Sequence, residues 1–191
     1  IVLNPYGFEV DKDGQAIGEA GQGANNMSGY CFKAGGYAGT WNKDDVAYGS
    51  AALAGIDGGT IDPTGASIGT KSGLSILKYT GNGTAGATVA HGLTKAPEIV
   101  IVKRTDGTED WGVYIGSIVG TAGAYTKLEA GAISTGTAGF NGTDTTSTLI
   151  TLGDNNLTNG STMTYIAYAW HSVSGLQKFG YYEGNGNADG P

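Results

Sequence analysis

The sequence predicts an all-β chain built as an antiparallel β-sandwich, with a barrel as the alternative, and three observations carry that prediction. Glycine supplies 36 of 191 residues while proline supplies only 4. Charged residues make up 14%, so the Glu, Lys, Arg and Gln that favour helices are scarce. Short β-branched and aromatic runs recur between glycine or Asn-Gly turns, the pattern of many short strands.

Taken in order, Tyr6 to Val10 alternates apolar and polar positions, Asp13-Gly14 is a turn signal, and Met27 to Lys33 reads as a returning strand. Two strands are marginal in water, so residues 1–36 read as the C-terminal hairpin of a preceding unit, the alternative being that they add their strands to the unit that follows. Residues 37–71 read as a glycine-rich linker or arm, because 55–65 is a succession of turns. Tyr37, Trp41 and Tyr48 in that arm are the candidate glycan or partner contacts, since flat aromatic faces stack on sugars; the competing reading is that they pin the arm to its neighbour.

From Leu74 the strands are regularly spaced: 74–80, 98–103, 111–115, 125–129, 148–152, 163–171 and 177–183. The run 98–103 is apolar at four consecutive positions and is expected to be central and covered on both faces. In 163–171, Ile166, Tyr168 and Trp170 share one face, and Met163, Tyr165, Ala167 and Ala169 the other. The signature Tyr79-Thr80-Gly81-Asn82-Gly83 returns as Tyr182-Glu183-Gly184-Asn185-Gly186. That echo marks a repeat array, with a complete unit at 72–183 and the start of the next at 184–191.

The charge of −7 and the scattered cations disfavour nucleic acid and anionic membrane surfaces. No apolar run has the length of a membrane span, and the chain reads as soluble. Cys31 is the single cysteine, so no internal disulfide forms, and a small buried hydrophobe is the expected role.

Several motifs tempt. Gly81 to Gly86 matches GxGxxG, but Ala87 to Gly92 lacks the helix whose N-terminus would receive a pyrophosphate, so these glycines make a turn. Gly65-Ala66-Ser67-Ile68-Gly69 matches the GxSxG nucleophile elbow, and Asp154 and His171 keep the order of a hydrolase triad. That stretch is expected in a loop with no strand-to-helix turn, which removes its catalytic meaning. His91 is expected to cap the turn before Leu93, and His171 to end a strand; neither has partners spaced for zinc. Asp44, Asp45, Asp57 and Asp62 do not repeat a calcium-loop pattern. Asp106, Glu109 and Asp110 read as exposed carboxylates at a hairpin tip and not as a glycosidase pair. No catalytic residue, cofactor or metal is expected.

A resemblance covers about 72–191 well and 27–36 moderately. Ser75 to Gly86, His91-Gly92-Leu93, Ala96 to Arg104, Asp110-Trp111 and Val113-Tyr114, closed by Thr164 to Trp170 and Gly175 to Tyr182, resemble a repeated module of phage tail-fibre and virion-associated proteins, especially of marine and cyanobacterial phages. The resemblance implies a jelly-roll or concanavalin-like sandwich within a fibre, commonly a homotrimer among neighbouring virion proteins, outside the cell in the tail or fibre. It implies structural work and adhesion to a bacterial surface receptor or glycan, through the 116–147 loop or the 37–71 arm. It carries over no catalytic residue. The alternatives are a lectin-like carbohydrate-binding module of a secreted protein, a capsid-decorating or head-fibre protein and, from another class, a glycan hydrolase.

Overall fold

The structure, a computed structural model, describes residues 2–4, 7–9 and 32–190. The chain divides into two units, Ile1–Phe32 and Lys33–Pro191. In the first, β1 (Val2–Asn4) pairs antiparallel with β2 (Gly7–Glu9). The expected partner strand and turn, residues 10–31, lie outside the described residues, as does Cys31.

The second unit is all-β and centres on one mixed nine-stranded sheet. Its strands are β3 (Trp41–Lys43), β4 (Val46–Tyr48), β5 (Gly65–Gly69), β6 (Leu74–Thr80), β8 (Ile99–Arg104), β9 (Gly112–Tyr114), β10 (Tyr125–Lys127), β11 (Ala130–Ser134) and β13 (Thr164–Trp170). They lie in the order β11-β10-β9-β8-β13-β6-β5-β3-β4. Every pairing is antiparallel except β3 with β5. A separate ribbon pairs β7 (Thr88–Ala90) with β12 (Leu149–Thr151). Two single helical turns, α1 (Gly116–Val119) and α2 (Thr137–Phe140), complete the set.

The period-2 patterns of β6, β8 and β13 decide where the core sits. Leu77, Tyr79, Val100, Val102, Tyr165, Ala167 and Ala169 are buried on one face of the sheet. They join one apolar cluster with Val89, Ala90 and Ile150 of the ribbon, Phe140 of α2, and Ile56, Ile61, Leu93, Leu152 and Leu157 of the connections. Full burial of side chains of this size stabilises by roughly 1.5–3 kcal/mol each. The alternation read in 163–171 matches the structure, with Tyr165, Ala167 and Ala169 inward.

Three expectations change. Residues 37–71, read as a linker or arm, contribute β3, β4 and β5 to the main sheet. Each of these strands is only three to five residues long, too short to show a period, and the β3–β4 turn is made by Asp44 and Asp45 at φ 52° and 68°, where glycine or asparagine is the usual signal. The 98–103 run lies beside the central strand β13; its burial alternates, with Ile99 and Ile101 half-buried on the outer face. Residues 177–183 form no strand. A single bridge from Val173 to Gln177 ends the pairing, and Tyr181 and Tyr182 are exposed.

The first signature shows what its glycines are for. Tyr79 stacks on Tyr165 with ring centroids 5.2 Å apart, and its hydroxyl donates to the Thr158 carbonyl at 2.6 Å. A Cβ at Gly81 would stand 2.4 Å from the Gly160 carbonyl oxygen, so the turn docks only because the side chain is missing. Asn159, fully buried, accepts the Asn82 N–H at 2.9 Å and donates to the carbonyls of Gly153 and Thr84 at 2.9 and 3.0 Å. Of the Asn-Gly steps, Asn141-Gly142 is left-handed at both residues and Gly83 and Gly186 at their glycines. Asn159-Gly160 is not left-handed; there the asparagine is kept for its buried amide.

Candidate functional site

The three aromatics singled out by sequence separate in space. Trp41 of β3 stands opposite Tyr48 of β4, and both pack against the core; the Trp41 indole N–H donates to the Pro63 carbonyl at 3.2 Å. Tyr37 is 100% exposed on the loop before β3. That loop is fixed on either side of the tyrosine. The Ser67 hydroxyl accepts the N–H groups of Gly35 and Gly36 and donates to the Gly36 carbonyl at 2.8 Å, and Asn42 Nδ2 donates to the Ala38 carbonyl at 2.9 Å.

This clamp also settles the GxSxG motif. The segment expected in a loop is strand β5, paired on both sides. Ser67 spends its hydroxyl on the 35–36 backbone, and a Cβ at Gly35 would lie 2.4 Å from the Ile68 carbonyl oxygen.

Beside the loop, the outer face of the sheet is half-buried. The register sets Ser67, Ile76, Tyr168 and Ile101 in one row and Trp170 and Ile99 in the next. Lys78 and Lys103 flank Ile166 in a third. The Tyr168 and Trp170 rings lie 6.0 Å apart at 17°, and Lys103 Nζ sits 5.6 Å over the Trp111 ring. A groove of about 360 Å³ runs where the loop meets this face, lined by Gly36, Gly39, Thr40, Thr64, Ser67, Ile76, Lys78 and Ile166. Aliphatic floor, hydroxyls and an ammonium are groups that hold a polyhydroxylated ring, and the exposed Tyr37 lies on the same loop as the lining residues Gly36 and Gly39. The period gives Ile166, Tyr168 and Trp170 a shared face but not which face is open; the sign that this one is open is its lysines.

A second cleft, about 660 Å³, lies beneath the β10–β11 hairpin between Tyr125, Lys127, Ala130, Ala132, Ser134, Asn155, Asn156 and Leu157, with Glu109 at its edge. The carboxylates of the neighbouring hairpin tip are held by cations. Asp106 meets Arg104 at 2.7 Å and Asp110 meets Lys127 at 2.6 Å. These hydrogen bonds hold both carboxyls below the usual aspartate range, which opposes the proton-donor role a glycosidase acid needs. Glu109 lies 3.9 Å from Arg104.

Both histidines are buried. His91 Nδ1 accepts the Leu93 N–H at 3.1 Å and Nε2 faces the Thr146 carbonyl at 3.1 Å, the turn cap expected. Burial, helped by the charge of His171 and opposed by the Thr146 hydrogen bond, lowers its pKa to about 4. His171 follows β13 directly; its Nδ1 lies 2.9 Å from the Ser172 carbonyl. Among the described residues no group of three or more His, Cys, Asp or Glu is placed to hold a metal ion, and no helix is long and apolar enough to cross a membrane.

With this geometry in view, the chain belongs to the family described as domain of unknown function (DUF7483), whose profile matches residues 2–191. No curated protein and no solved structure matches it.

Proposed function

We propose that this chain is a structural and adhesive module of a phage virion fibre that touches bacterial surface glycan. The nine-stranded sheet with its ribbon cover is read as one flattened, jelly-roll-like sandwich of a repeat array, assembled outside the cell as a homotrimer beside other virion proteins. The sequence resemblance supplies the phage context. The observation that carries the adhesive part is the outer face: a half-buried surface with an aromatic pair and a groove lined by Thr40, Thr64 and Lys78, with the fully exposed Tyr37 on the adjoining loop. The negative charge keeps such a module off nucleic acid, and the paired carboxylates fit a binding role better than hydrolysis.

A panel of bacterial surface polysaccharides, tested by calorimetry or an array, checks the reading. Tyr37→Ala and Tyr168→Ala are expected to weaken binding about tenfold or more, the scale of one lost ring stack, with the fold unchanged. Trp41→Ala is expected to lower stability first, because Trp41 is core. Binding that survives both tyrosine changes would remove the outer face from the account, and turnover of a polysaccharide would replace adhesion with hydrolysis.

A further inference from the structure

We infer that copies of this chain join by strand addition, the tail segment 179–183 of one copy pairing with the β11 edge of the next. The inference does not depend on glycan binding.

The donor is a strand-prone segment without a partner. Phe179-Gly180-Tyr181-Tyr182-Glu183 is rich in the aromatics that favour strands, yet 180–184 make no hydrogen bond among the described residues and Tyr182 is 80% exposed. It cannot satisfy itself on either edge of its own sheet. The Phe179 N–H is tied to the Ser172 hydroxyl at 3.3 Å, just past the end of the central strand β13. Glu183 then lies at most about 14 Å from that anchor. Both sheet edges are four strands from β13, about 19 Å.

The acceptor is β11. All five of its residues are exposed, and the sequence Ala-Gly-Ala-Ile-Ser carries none of the charges or prolines that protect natural edges. The Thr126 hydroxyl contacts the carbonyls of Ala130 and Ala132 at 2.7 and 3.0 Å, which turns those groups toward β10. Strand pleating then turns the backbone groups of Gly131 and Ile133 outward, free to pair. The opposite edge, β4, has three residues beside Asp44 and Asp45. Below β11 lies the 660 Å³ cleft. Its apolar Ala130, Ala132 and Leu157 and its polar Asn156 and Glu109 suit a tyrosine from the added strand, ring against the first and hydroxyl toward the second.

Donor and acceptor are different surfaces, so the contact is heterologous. It closes into a ring if the rotation permits and otherwise extends as a filament. Each copy carries −7, so salt is expected to promote association.

Sedimentation of the full chain across a concentration series tests this. The wild-type chain is expected to associate, and Ile133→Pro and Tyr182→Pro each to shift the midpoint at least about tenfold toward monomer, the equivalent of one or two strand hydrogen bonds. Mixing the two variants is expected to give 1:1 dimers and nothing longer, because one keeps only a donor and the other only an acceptor. Ile133→Lys, which keeps every backbone group, repeats the test should proline disturb the hairpin. A wild-type chain monomeric throughout, association untouched by either variant, or variants that fail to pair on mixing would overturn the inference.

Discussion

The same five-residue signature occurs twice in this chain and meets opposite fates. In the first copy Tyr79 is 1% exposed, stacked and hydrogen-bonded, and its glycine turn is locked to the Asn159 amide. In the second, Tyr182 is 80% exposed, and among the described residues the hydrogen bonds of its turn are local: Asn185 Nδ2 donates to the Gly190 carbonyl, the Asn187 N–H to Asn185 Oδ1 and the Gly190 N–H to the Asn187 carbonyl. A sequence motif of this kind therefore specifies a shape for docking; whether it docks depends on a partner surface, which for the first copy is the 158–160 turn.

The largest effect separating the two copies is expected from the tyrosines. Tyr79→Ala removes a buried ring and leaves the Thr158 carbonyl unpaired, a loss of about 4 kcal/mol in denaturant unfolding, whereas Tyr182→Ala in monomer is expected to stay within about 0.5 kcal/mol. Equal losses at both positions would break the comparison.

Acid is the next lever, through His91 at the end of the arm that follows the first copy. The folded pKa of about 4 lies below the unfolded value of 6.5, so the unfolded chain binds more protons between them. Stability is full above pH 6.5 and falls as pH drops toward 4, by about 3 kcal/mol in all. Unfolding midpoints recorded from pH 7 to 4 should show this slope, and His91→Gln should flatten it. The depressed carboxyls of Asp106 and Asp110 act in a separate window: their folded pKa values lie below the ordinary aspartate value of 3.8, so their contribution is lost only as pH falls below that.

A smaller loss, about 2 kcal/mol, is expected for Asn159→Ala, which orphans the Asn82 N–H and two carbonyls. Asn185→Ala, in the exposed copy at the position of Asn82, is expected to change unfolding by no more than about 0.5 kcal/mol.

Long, alternating strands were legible in the residues. The run 74–80 was read to the residue as β6, and the two faces of 163–171 follow from the period alone. What escaped has physical causes. β3, β4 and β5 are too short to display a period, and their hairpin is closed by two aspartates instead of Asn-Gly. Residues 177–183 have strand composition, yet among the described residues 180–183 find no hydrogen-bond partner, and composition does not encode partners. For the candidate site, the separation of Tyr37 from Trp41 and Tyr48 turned on which aromatics fall in a strand. The openness of the outer face was hidden because Tyr168 and Trp170 look like core residues until the lysines opposite Ile166 are placed beside them.

Amide hydrogen exchange of the full chain at low and high protein concentration bears most directly on the claim that the exposed copy awaits another molecule. The account predicts that the amides of 180–184 and of Gly131 and Ile133 exchange freely when dilute and become protected together when concentrated, while Gly81 to Gly83 stay protected throughout. Tail and edge amides that exchange equally fast at both concentrations would contradict it.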